Sequence, residues 1–180
     1  MKLIMVRHAH DIQGGGVESE LSWQGRRQAR ETAEKLVALG FQSIDVALSS
    51  PAKRASQTLD EMASILSLEK PGVATELQPS SDVSALEHLL WSFSPRKPDT
   101  VILVGHEPQL SNAILQWCGL PDNDQRDDDR PPWILSRGEA VSVCPDLIGS
   151  SIHLHSELIQ MLGRQRPLPN KTTLPRAGVF

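Results

Sequence analysis

The sequence predicts an α/β fold, a three-layer sandwich with a largely parallel central sheet in a single domain. Three observations predict it. Residues 2–6 and 100–104 are short apolar runs, as expected of strands buried on both faces, and 44–48 reads as another strand. Segments of helical period lie between them. The chain's 180 residues, 39% of them hydrophobic, can form one domain with a real core but are few for two.

The elements follow in order. Residues 2–6 form the first strand and run into Arg7-His8. Residues 11–19 are polar and hold Gly14, Gly15 and Gly16, which predicts a loop. From 25 to 39 apolar residues recur at helical spacing (Ala29, Ala33, Leu36, Val37), with Gly40 as the stop. After the strand at 44–48, Ser50-Pro51 reads as an N-cap followed by proline in the first helical turn. The helix it opens runs through Ala55, Leu59, Met62, Ile65 and Leu66, and a third helix spans 83–93.

The strand at 100–104 ends at Gly105, and 108–118 is helical again until Gly119 and Pro121. Residues 121–132 form a polar, acidic loop, and 140–144 and 151–155 have the length and alternation of strands. The domain is expected to span 1–163. Residues 164–180 carry Arg164, Arg166, Lys171 and Arg176, three prolines and no acid, and are expected to be a flexible tail.

Composition narrows the function. A net charge of −4 argues against a nucleic-acid binder that relies on a general basic surface. No run approaches the ~18 apolar residues of a membrane span, and the apolar stretch before Arg7 is too short for a signal peptide. Cytoplasmic localisation is expected. Cys118 and Cys144 follow no zinc or redox spacing and are expected to be free, buried thiols.

The polar residues gather where the strands end. The first strand exits into Arg7-His8, the second into Ser49-Ser50-Pro51, and the third into Gly105-His106. In open α/β sheets ligands bind outside the carboxyl ends of the strands. Arg54, in the first turn of the second helix, can return to the same edge. Two guanidinium groups, a helix N-terminus and two imidazoles make an oxyanion site, with phosphate as its natural occupant.

Four segments carry a resemblance. They are Val6-Arg7-His8-Ala9, Leu21-Ser22-Trp23-Gln24-Gly25, the run from Ser49 through Arg54 to Thr58, and Val104-Gly105-His106-Glu107-Pro108. In order and spacing the chain resembles the histidine phosphatase superfamily over residues 1 to 145, and within it the short phosphohistidine phosphatases of the SixA branch. The resemblance implies that His8 is a nucleophile that becomes transiently phosphorylated. It further implies that Arg7, Arg54 and His106 hold the phosphoryl oxygens, with Ser50 among the substrate-binding groups. It implies no cofactor and no metal. The chemistry is consistent: phosphoryl transfer needs mainly positioning and cationic stabilisation, and a neutral imidazole is a competent nucleophile near pH 7.

Two departures stand out. The family's Arg-His-Gly is Arg-His-Ala here, so Ala9 must hold a negative φ. The proton donor of larger members has no decisive counterpart. Glu76 and Asp82 are the candidates for a general acid, whereas Glu18, Glu20 and Glu107 read as surface carboxylates. A missing acid favours an N–P substrate, because imidazole leaves with a pKa near ~6.5 while an alcohol leaves as a strongly basic alkoxide.

The expected substrate is a phosphorylated protein, such as a phosphohistidine phosphotransfer domain, or a small phosphomonoester. The alternatives are a small-molecule phosphomonoesterase of the same superfamily and an inactive phosphate-binding module. A metal hydrolase built on His8, His10 and His106 is disfavoured by the cation at Arg7 and the lack of carboxylate ligands. His153 and His155 lack a third ligand, and the acidic run 122–129 lacks the glycine and glutamate of a calcium loop.

Overall fold

A computed structural model describes residues 1–12, 16–69, 71–95, 97–119, 134–148, 151–153 and 160–162. The tail at 164–180, the acidic run at 122–129, Gly14, Gly15 and His155 lie outside the described residues.

The strands are β1 (Lys2–Arg7), β2 (Ser43–Ile44), β3 (Val46–Ser49), β4 (Ser67–Leu68), β5 (Pro71–Val73), β6 (Thr100–Gly105), β7 (Ala140–Val143), β8 (Asp146–Ile148), β9 (Ser151–His153) and β10 (Gln160–Leu162). The helices are α1 (Trp23–Ala38), α2 (Lys53–Ala63), α3 (Val83–Ser92) and α4 (Gln109–Trp117). Six strands form the main sheet in the order β10-β7-β1-β6-β3-β5. β1, β6, β3 and β5 run parallel; β7 pairs antiparallel with β1, and the edge strand β10 pairs antiparallel with β7. The α/β class and the mostly parallel sheet are therefore as the apolar runs predict.

Alternation along β1 explains the three layers. Ile4 and Val6 face one core with Ala29, Ala33 and Leu36 of α1 and Ala55, Leu59 and Met62 of α2. Leu3 and Met5 face a second core with Leu86 and Leu90 of α3 and Leu110 and Ile114 of α4. All four β1 side chains are fully buried, which is why the run is apolar at every position. Arg26 and Arg30 of α1 both reach Glu61 of α2 at 2.7 Å, tying the two helices on one face together.

Several local expectations need correction. The hydroxyl of Ser50 does not cap α2: the helix begins at Lys53, its N-cap is Ala52, and no side chain caps it. Ser50 instead accepts a hydrogen bond from the Ala52 N–H at 3.2 Å and faces His106. α2 ends at Ala63, so Ile65 and Leu66 reach the core from the turn beyond it. The run at 44–48 is split between β2 and β3. The short strands β4 and β5 carry no apolar alternation, and β5 opens on a proline that only a sheet edge tolerates.

Ser22 caps α1 by accepting from the Gly25 N–H at 3.1 Å, a contact typically worth ~1 kcal/mol. Gly25 is required there for space, since a Cβ would sit 2.0 Å from the His10 carbonyl oxygen. Cys118 and Cys144 are each half-buried and not disulfide-bonded. Among the described residues no helix is long and apolar enough to cross a membrane.

Candidate active site

Sheet register builds the site. β1 and β6 pair with Arg7 opposite Gly105, so His8 and His106 leave the sheet side by side, their ring centroids 5.0 Å apart. β3 pairs with β6 with Ser49 opposite Val104, which places Ser50 at the same edge. The ladder continues past the strand ends: the His8 N–H donates to the Gly105 carbonyl at 3.0 Å and the Ser50 N–H to the Val104 carbonyl at 2.9 Å. Arg54, one residue into α2, reaches back over this edge. Four side chains separated by almost a hundred residues thus share one pocket.

The hydrogen bonds determine which ring nitrogens carry protons. His8 Nδ1 lies 2.8 Å from the Ala9 carbonyl, which can only accept, so Nδ1 holds the hydrogen. Nε2 then presents a lone pair, and Arg54 Nε donates to it at 3.2 Å. At His106 the order is reversed. Arg54 Nη2 donates to Nδ1 at 3.4 Å, so Nε2 carries the hydrogen and donates to Ser50 Oγ at 2.9 Å. Arg54 Nη1 donates to the Gly16 carbonyl at 2.7 Å. One guanidinium therefore spans both imidazoles and the loop that follows β1.

Both imidazoles are held neutral. Burial, followed by the charges of Arg54 and Arg7, pushes His8 down to about 4 against the Ala9 hydrogen bond. Burial, the neighbouring His8 and the two arginines push His106 down to about 3. In the unfolded chain both would titrate near 6.5, so between these values the unfolded state binds more protons. Stability should therefore be full above pH 6.5 and fall as the pH drops toward 4 and 3. NMR titration should find both rings still neutral at pH 5.5, with the denaturation midpoint lower at pH 5 than at pH 7.5. A His8 ring that titrates near 6.5 would contradict this electrostatic picture.

The remaining motif residues hold the nucleophile segment. Thr58 accepts from the Ala9 N–H at 3.0 Å and donates to the Arg54 carbonyl at 2.7 Å, coupling β1 to α2. Gln57 accepts from the Leu21 N–H at 2.7 Å. Ala9 is fully buried and absent from the residues with positive φ, so the methyl that replaces the family's glycine hydrogen is accommodated without strain. His10 turns to Ser22 Oγ at 2.9 Å. Among the described residues no three metal-ligating side chains gather where they could hold an ion.

A model of the histidine phosphatase superfamily (branch 1) matches residues 3–77, the stretch that holds Arg7, His8, Ser50 and Arg54. Over that stretch the chain is similar to the histidine phosphatase superfamily. A search of the curated proteins finds no match. Among solved structures, the chain is similar to the protein histidine phosphatase SixA complexed with tungstate, at 22% identity and a TM-score of 0.71 over 86% of this chain and 94% of that one. It is also similar to a mycobacterial glucosyl-3-phosphoglycerate phosphatase complexed with VO3, at 18% identity and a TM-score of 0.64 over 86% of this chain and 96% of that one. A third is the alpha-ribazole phosphatase from Shigella flexneri, at 17% identity and a TM-score of 0.61 over 86% and 95%. These likenesses establish the histidine phosphatase fold.

Among the described contacts, neither acid candidate's carboxylate bonds to the four residues. Asp82 is the N-cap of α3, accepting from the Ala85 N–H at 3.0 Å and the Ser84 hydroxyl at 2.8 Å. Those bonds, the Ala85 N–H first, hold its carboxyl below the ordinary value, which suits a cap and not a proton donor. The Glu76 carboxylate meets the Thr75 hydroxyl at 3.4 Å. Glu18 and Glu20 are exposed, and Glu20 pairs with Lys53 at 2.6 Å. Glu107 is not a surface carboxylate. It accepts from Ser111 Oγ and the Leu135 N–H, and its Oε2 is buried without a partner.

Two further charged groups approach the candidate site without a motif to announce them. Asp11 lies 3.9 Å from Arg54 Nε and 3.2 Å from Arg137 Nη1. Burial opposes ionisation of Asp11, but Arg137 and nearby hydrogen bonds hold its carboxyl below the ordinary value. Arg137 belongs to the segment that enters β7, where Gly138 donates to the Arg7 and His8 carbonyls at 3.2 Å. The stretch has no hydropathy pattern, and only its contacts reveal its place.

Proposed function

We propose that the protein is a histidine phosphatase that hydrolyses phosphohistidine on a protein, or a phosphomonoester with a comparably good leaving group, through a phosphoryl intermediate on His8. The observation that carries the reading is the tautomer of His8. With Nδ1 committed to the Ala9 carbonyl, Nε2 offers an unprotonated lone pair to which the Arg54 guanidinium donates.

The steps follow from the same bonds. An incoming phosphoryl group draws the Arg54 N–H away from His8 Nε2 and onto its own oxygens, uncovering the lone pair at the moment it is needed. Arg7 and Arg54 take the equatorial oxygens, where charge develops in a loose transition state. Nε2 bonds to phosphorus as the bond to the leaving group breaks. Water then attacks the phosphohistidine, and inorganic phosphate departs with His8 restored. Because His106 Nδ1 is unprotonated in the free site, a bound dianion recruits a proton to it and raises its pKa. Ser50 holds the opposite nitrogen of that ring throughout.

Leaving-group dependence tests the substrate class. Asp82 is occupied as a helix cap, and neither its carboxylate nor that of Glu76 bonds to the four site residues among the described contacts. Catalysis then depends on how readily the product departs. Phosphohistidine and nitrophenyl phosphate should turn over, while alkyl phosphates remain nearly inert. Glu76→Gln and Asp82→Asn should stay within a few-fold of wild type on nitrophenyl phosphate, whereas a true general acid contributes ~10²–10⁴-fold, mostly with poor leaving groups. Selective loss of sugar phosphate turnover in either variant would instead identify a small-molecule phosphomonoesterase. Two of the similar structures are of proteins named as phosphatases of small phosphate esters.

A further inference from the structure

Arg7 is anchored differently from Arg54. Its Nη1 donates to the Leu135 carbonyl at 2.7 Å, and its Nε is buried with no partner. No carboxylate forms a salt bridge with it among the described residues, so a backbone carbonyl does much of the aiming. That carbonyl needs an anchor of its own. Leu135 follows the last undescribed residue of a long connection by only two positions. Its side chain is fully buried in the core under α3 and α4. Its N–H is held twice, by Glu107 Oε1 at 3.0 Å and by Ser111 Oγ at 3.1 Å. Ser111 in turn donates to Glu107 Oε1 at 2.7 Å.

We propose that Glu107 is a positioning residue for Arg7, acting through Leu135: its carboxylate holds the Leu135 N–H, and the carbonyl of the same residue holds the Arg7 guanidinium. Glu107 directly follows His106, so one short segment after β6 supplies both a phosphate-facing ring and the support for the guanidinium opposite it. Desolvating a carboxylate at this position is costly, and burial raises the Glu107 pKa despite the hydrogen bonds and the Arg7 charge that favour its ionised form. A merely solvated glutamate would not need such a place. Partners that orient a site residue typically contribute 10–100-fold through it without touching the substrate, as the outer ligands of metal sites do.

The inference rests on Arg7 clamping phosphate, and a double-mutant cycle separates the two ideas. Glu107→Met removes the acceptor at similar volume. It should lower kcat/KM by ~10–100-fold, by the same factor for nitrophenyl and alkyl phosphates, and weaken inhibition by inorganic phosphate in parallel. Glu107→Gln keeps an acceptor oxygen for the Leu135 N–H and should recover most of that loss. In an Arg7→Ala background, Glu107→Met should cost no more than about 3-fold further, because the group it aims is already gone. An undiminished loss in that background would overturn the inference while leaving Arg7 as a clamp. A loss confined to poor leaving groups would also overturn it, by making Glu107 a general acid. If Arg7→Ala alone has no effect on rate or phosphate inhibition, the clamp reading itself fails. Should Glu107→Met not fold, Glu107→Gln and Ser111→Ala decide: Ser111→Ala should cost a few-fold in wild type and nothing in Arg7→Ala, and equal losses in both would reject the relay.

Discussion

His8→Ala should lower turnover of nitrophenyl phosphate by at least ~10³-fold, the scale expected when an acting nucleophile is removed. The expectation rests on the ring's tautomer, its neutrality and its position between Arg54 and His106, 5.0 Å away. The effect should lie in kcat, since both arginines and Ser50 remain to bind the phosphoryl group. Rapid quench of wild-type enzyme with labelled substrate should trap one label per chain, acid-labile and base-stable, on the peptide that contains His8. Those stabilities distinguish a phosphorus–nitrogen bond from a phosphoserine ester on Ser50 or an acyl phosphate on Asp11. Near-normal turnover in His8→Ala, or a base-labile adduct, would end the covalent reading. His8→Gln is a useful companion, because it fills the buried space and separates loss of the nucleophile from a cavity beside Ala9.

Arg54→Lys should cost ~10²-fold or more in kcat/KM even though the charge is retained. The reason is geometric. Arg54 uses Nε, Nη1 and Nη2 on three different partners, namely His8, the Gly16 carbonyl and His106. A lysine ammonium cannot span them, and it loses the planar fork that matches two phosphate oxygens. Vanadate or inorganic phosphate should inhibit wild type competitively and Arg54→Lys weakly. Arg7→Lys should behave alike, through loss of the guanidinium held by the Leu135 carbonyl. A chelator should leave all of these rates unchanged, and activity abolished by chelation would revive a metal-dependent hydrolase. Unaltered inhibition in both lysine variants would mean that neither guanidinium touches the phosphoryl group.

The sequence by itself determined the layers and the edge at which the polar residues gather. Residues 3–6 and 101–104 are fully buried, so every residue in them answers to burial and the pattern is unambiguous. Arg7, His8, Arg54 and His106 are legible because each ends or follows a strand or lies in the first turn of a helix, where chain direction alone brings them to one edge. The rest depended on partners far away in the chain. Ser50 resembles a helix cap because serine before proline usually is one, and only the approach of His106 turns its hydroxyl to another use. Asp82 and Glu107 are indistinguishable as isolated glutamate or aspartate codes. Folding makes the first a cap at the surface and buries the second against Leu135. Arg137 and Leu135 lie in a stretch without period, and they meet β1 only because β7 pairs antiparallel beside it. Local pattern records what a residue must avoid, chiefly water or an unpaired backbone group. Which specific partner it finds is decided by register and packing, and those exist only in the folded chain.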